Sequence, residues 1–171
     1  MPWYPKVIAG VVAVLTLGLT LVRPLRRWAL QVPMQRLIAL HLIRFVGFYF
    51  LYLYERHELP YRFAVWGGTG DIVVAALAVP LLFFAQLRAG VALWNLLGLA
   101  DILAVAATAA RSEIAVPGSM HRLDQLPLIL LPMLVVPVII VTHALMLVRV
   151  LGATSSSHDG GTDNQTADVA A

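Results

Sequence analysis

One arginine and two aspartates stand inside long apolar runs: Arg44 in IALHLIRFVGFYF, Asp71 in GGTGDIVVAALAV and Asp101 in LLGLADILAV. Charge in such surroundings is costly, so it is found paired, facing a water-filled space, or both. Two chemistries fit one guanidinium and two carboxylates. In the first, Arg44 and one aspartate form a buried ion pair that fixes helix register. In the second, the other aspartate has no partner and cycles a proton.

Helical rise of about 1.5 Å per residue tests whether the three can meet. Counted from the end of each run expected to be cytoplasmic, Arg44 lies roughly 11 Å in, Asp101 roughly 15 Å and Asp71 roughly 20 Å. Each acid shares a helix face with glycine one turn away: Gly67 and Gly68 before Asp71, Gly98 before Asp101. Small residues let helices approach closely, so these positions, with Gly70, are expected to be helix-packing glycines that turn the acids inward.

His41 and His143 form a second constellation. They lie roughly 6 Å and 7–8 Å from the same side. Two histidines at one depth on two helices suit bis-histidine ligation of a haem b. They also suit a half-path that hands protons to Asp101, and the commoner role for each is that of a hydrogen-bonded core or interface histidine. Asn95 is expected to hydrogen-bond across helices, and its neighbour Trp94 to anchor at the interface.

Other motifs carry little chemistry. WGGTGD is not the dinucleotide fingerprint, which needs GxGxxG after a strand. ERHE is not HExxH, and no metal site is expected. Ser112 and Ser119 sit in a loop with no base beside them, so neither is an activated nucleophile. An enzyme is not expected. The chain has no cysteine, which excludes disulfides, iron–sulfur clusters, covalently attached haem and Cys-ligated zinc.

The elements that must position these residues follow from hydropathy. The chain has 171 residues, 60% hydrophobic and 12% charged, about half the charge of an ordinary soluble domain. Five apolar runs predict an all-α bundle of about five transmembrane helices, over 7–22, 37–54, 64–84, 91–110 and 126–148. Trp3 and Tyr4 are expected to extend the first as interfacial anchors, and Tyr49, Tyr52 and Tyr54 to mark the far interface of the second. Pro132 and Pro137 are expected to bend the fifth. Residues 1–151 form this domain. The last 20, rich in Gly, Ser, Thr, Asp and Ala, read as a disordered polar tail.

The 11 arginines and one lysine serve topology rather than nucleic acid. Arg23, Arg26, Arg27 and Arg36 crowd the first connection, which places it in the cytoplasm. With five spans this puts the N-terminus outside and the C-terminus inside. The expected partner is the lipid bilayer, with self-association or a place in a membrane complex as further readings.

Arg44, Gly47, Phe48, Leu59-Pro60, Phe63-Ala64, Gly68, Gly70-Asp71-Ile72, Trp94-Asn95, Gly98 and Asp101 together resemble a widespread group of small bacterial integral membrane proteins without assigned function. The likeness covers roughly 35–105 and loosely His143. It implies the bacterial inner membrane. Five spans in a chain of this size also resemble the tryptophan-rich sensory proteins, but the dense tryptophan pattern is absent, so that likeness is one of size. The leading reading is a protein that binds or moves a small solute or a proton through Arg44, Asp71 and Asp101. The alternatives are a haem-binding redox protein using His41 and His143, and a structural or assembly subunit.

Overall fold

The computed structural model describes residues 2–155. Five of its helices are long and apolar enough to cross a membrane. The first, α1, is Tyr4–Leu21. A short helix, α2 (Arg23–Gln31), follows, and then α3 (Met34–Glu55), α4 (Arg62–Phe83) and α5 (Arg88–Ala115). The last, α6, starts at Leu131 and runs to Ser155. It passes Gly152, where the polar tail was expected to begin, because a lone glycine without a following stop signal does not end a helix with intact backbone bonds. The rest of the expected tail, from 156, lies outside the described residues.

Helices α3, α4, α5 and α6 enclose the core, and α1 packs along α6. One apolar cluster joins Phe50, Leu53, Phe63, Val105 and Ala109 near the end where α3 turns into α4. A second joins Ile38, Val74, Val91, Trp94 and Met146 near the opposite, arginine-rich end. The polar residues lie between the two.

Within the long helices three stretches depart from α geometry. Residues His41–Val46 of α3 are wound as a 3-10 helix. In that winding side chains three apart eclipse, so His41, Arg44 and Gly47 fall on one line facing α4 and α5. The first turns of α4 (Arg62–Gly67) and α6 (Leu131–Val135) are π-helical. In α6 this turn absorbs Pro132 and Pro137, whose missing N–H groups break the ordinary ladder. The fifth span therefore starts at Leu131, not 126, and 126–129 forms turns: the Leu130 N–H donates to Pro127 O at 3.2 Å and the Leu131 N–H to Leu128 O at 3.0 Å.

The end opposite the arginines is tied by loops. Gly118 takes a left-handed conformation (φ 85°) after Pro117, the turn expected of Pro-Gly, and the Ser119 N–H closes it on Val116 O at 3.0 Å. Glu113 accepts the N–H groups of Gly118 (2.7 Å) and Met120 (3.0 Å). Tyr4 corrects an expectation. It is buried, and its hydroxyl donates to Ala109 O at 2.8 Å, while Trp3 Nε1 donates to Asp124 at 2.8 Å. The two rings pin the start of α1 to α5 and the following loop.

Candidate functional site

Arg44 is 1% exposed and each nitrogen of its guanidinium donates a hydrogen bond. Its Nε donates to Asp71 Oδ1 at 2.7 Å, its Nη1 to the Gly98 carbonyl at 2.9 Å, and its Nη2 to Asp101 Oδ2. The planar fork suits this task, since it presents donors to three acceptors in one plane. Asp71 is buried with Arg44, whereas the Asp101 side chain is 24% exposed. With all three groups ionised the centre carries one negative charge beyond balance.

Glycine makes this geometry possible, in two ways. Gly47 and Gly68 are a helix crossing: a Cβ on Gly68 would stand 2.9 Å from the Gly47 carbonyl, and one on Gly47 would overlap the Gly68 carbonyl. Gly67 packs against Val105, 3.2 Å from its would-be Cβ. Gly70 and Gly98 do something else. A Cβ on Gly70 would overlap the Asp101 carboxylate, and one on Gly98 would stand 2.6 Å from the His143 ring. Those two glycines leave room for the polar side chains themselves, not only for helix packing.

His41 and His143 are fully buried, and their ring centroids are 4.2 Å apart with planes tilted by 48°. Their hydrogen bonds fix both tautomers. The Asn95 amide nitrogen donates to the His143 carbonyl at 2.9 Å, so its oxygen is the atom 2.5 Å from His143 Nδ1. Nδ1 must then carry the proton. The Thr142 hydroxyl spends its only proton on Ile139 O at 2.9 Å, so at 3.3 Å it accepts from His41 Nε2. The nitrogens left over, Nδ1 of His41 and Nε2 of His143, are buried without a hydrogen-bond partner. Each neutral ring thus keeps a bare lone pair in the core.

The two rings touch one another, and Thr142 engages His41 Nε2. Trp94 closes the same layer. It is buried, edge-on to His41 at 5.2 Å, and its Nε1 donates to Val74 O at 2.9 Å. It is a core residue and not the interfacial anchor expected, because a helix partner offers its N–H an acceptor.

Toward the loop end a cavity of about 50 Å³ adjoins Arg44 and Asp71, walled by Tyr4, Phe50, Phe63, Val105 and Ile139. By volume it has room for more than one water, which needs about 10–15 Å³. Its walls are apolar, so a water there finds few partners besides the ion pair.

Sequence reasoning did not find Thr142, Gly47 as a crossing point, or the core roles of Trp94 and Tyr4. Gly47 had a signal, its i+3 spacing from Arg44. Thr142 had only its place beside His143.

The pattern of one sequence family matches residues 1–151. The chain belongs to the family described as a domain of unknown function, DUF8737. No curated protein and no solved structure matches it. The expected likeness to a family without assigned function agrees with this match at that level.

Proposed function

We propose that this chain crosses a bacterial cytoplasmic membrane five times, N-terminus outside and C-terminus inside, and that its buried centre carries a proton. The spanning reading draws support from the five apolar helices and the orientation from the arginines around α2. One observation carries the functional reading: Arg44 is shared by two carboxylates, which leaves one carboxylate in excess of charge balance.

The smallest cation that can complete that balance is a proton. Pockets for small organic ligands run to about 300–1,000 Å³, and the space beside Arg44 and Asp71 is about 50 Å³, which argues against a bulky solute. Asp101, the less buried acid, is the one to exchange the proton, while Asp71 stays with Arg44. The bare nitrogens of His41 and His143 supply two acceptors on the arginine side of the centre. The apolar cavity on the other side holds few partners for water and serves as the barrier.

The test uses proteoliposomes with an entrapped pH dye and an imposed potassium diffusion potential. Wild-type protein should acidify the lumen faster than protein-free vesicles. Asp101→Asn should fall to the protein-free rate with insertion unchanged. Equal rates for wild type and empty vesicles, with Asp101→Asn lowering only thermal stability, would show a structural clasp instead.

A further inference from the structure

The arginine-rich end holds features that the buried centre does not use. Arg23, Arg26 and Arg27 stand on one face of α2 by their i, i+3, i+4 spacing, and Arg36 opens α3 nearby. None of the four has an ion-pair or hydrogen-bond partner among the described residues. Arg149, by contrast, donates to Val32 O at 2.6 Å and closes the link between α2 and α3. Among the described residues no Asp or Glu lies in α2, in the links beside it, or in the adjoining ends of α4, α5 and α6. Among the described residues the end is a positive field without internal compensation.

Under that field α1 and α6 part. A cleft of about 520 Å³ opens between them, walled by Leu19 of α1, Leu30 of α2, and Val141, Ala144 and Leu145 of α6, with Arg26 contributing to its wall. This volume falls within the range of ligand pockets. Cation and apolar slot come from one nine-residue helix: Arg26 and Leu30 are neighbours one turn apart. Trp28 and Leu25 of the same helix are exposed, as suits a helix lying in a lipid interface. An arginine that served topology alone would need no slot beside it.

We infer that this end binds one anionic phospholipid, with an acyl chain in the α1–α6 cleft and its phosphate on Arg26, flanked by Arg23 and Arg27. Charge complementarity selects the headgroup and the apolar wall selects a lipid over a free phosphate. The inference rests on the spanning reading above but not on proton movement.

Native mass spectrometry of the full chain in detergent tests it, with titrations of dioleoylphosphatidylglycerol and dioleoylphosphatidylcholine. Wild type should retain one phosphatidylglycerol in preference to phosphatidylcholine. Arg26→Gln with Arg27→Gln should weaken retention by about fivefold per arginine. Ala144→Phe fills the cleft without touching charge and should weaken it too, whereas Arg62→Gln at the other end should not. Circular dichroism and the detergent melting temperature identify any variant that fails to fold, and the second variant then carries the test. Equal retention of the two lipids would overturn the inference. So would full retention by Ala144→Phe, which would leave only surface attraction. Alkaline extraction of the protein from membranes would instead refute the spanning reading itself.

Discussion

Replacing Arg44 by leucine removes the cation and spares the acids. Its guanidinium is 1% exposed and serves three acceptors. The variant leaves Asp71 and Asp101 facing each other without a counter-charge and removes the second donor to the Gly98 carbonyl, which keeps the helical N–H of Ile102. Breaking a buried pair by deleting one partner costs about 3–5 kcal/mol, mostly for the charge left behind. Arg44→Leu should therefore lose at least about 3 kcal/mol.

Adding Asp71→Asn and Asp101→Asn to that variant removes the orphaned charges while keeping side-chain shape. The triple variant should regain most of the loss, because a buried ion cluster is often replaceable by neutral groups at little net cost. The assay is equilibrium unfolding in mixed micelles, followed by helical circular dichroism. A triple variant as unstable as Arg44→Leu would refute the electrostatic reasoning and assign the stability to the shape and hydrogen bonds of the guanidinium. A neutral Arg44→Leu would refute the buried triad altogether.

Two further outcomes follow from contacts in the same layer. Gly47→Ala should destabilise by about 1–3 kcal/mol, the usual cost of overpacking, since its Cβ overlaps the Gly68 carbonyl, while Gly10→Ala, with nothing within 4 Å of the new Cβ, should be neutral or stabilising by up to about 1 kcal/mol from helix propensity; thermal melts in detergent compare the pair. Nitrogen-15 spectra of labelled protein should show His143 protonated on Nδ1 and His41 on Nε2, and Asn95→Leu should release the His143 preference; a His143 proton on Nε2 in wild type would contradict the network.

Much of the fold was legible because its signals are local. Five apolar runs predict five long helices, and the ends differ from expectation by a few residues where side chains or prolines decide. The charged triad was legible as a group because Arg44, Asp71 and Asp101 are the only charged residues deep inside those runs. Its wiring was not. Which guanidinium nitrogen meets which acceptor depends on the 3-10 winding of His41–Val46, which no residue type announces. Trp94 and Tyr4 show the ambiguity of aromatic rings near helix ends. An interfacial anchor and a buried donor look alike in sequence, and only the presence of Val74 O or Ala109 O across the gap separates them.

The two halves of the polar layer differ in one physical respect. Around Arg44 each guanidinium nitrogen has an acceptor, and charge is in excess on the acid side. Around His41 and His143 the backbone and side-chain partners are used up in fixing the tautomers, and lone pairs are in excess. A layer that served only register would gain by satisfying those nitrogens or replacing the rings with leucine, because a buried acceptor without a donor costs about 1–3 kcal/mol. On the proton reading proposed above, the same species answers both surpluses: a proton on Asp101 neutralises the excess charge, and the ring nitrogens are acceptors on its route. The lone pairs and the second carboxylate thus answer each other chemically. On that reading Asn95 and Thr142, which hold the rings with those nitrogens bare, are positioning residues.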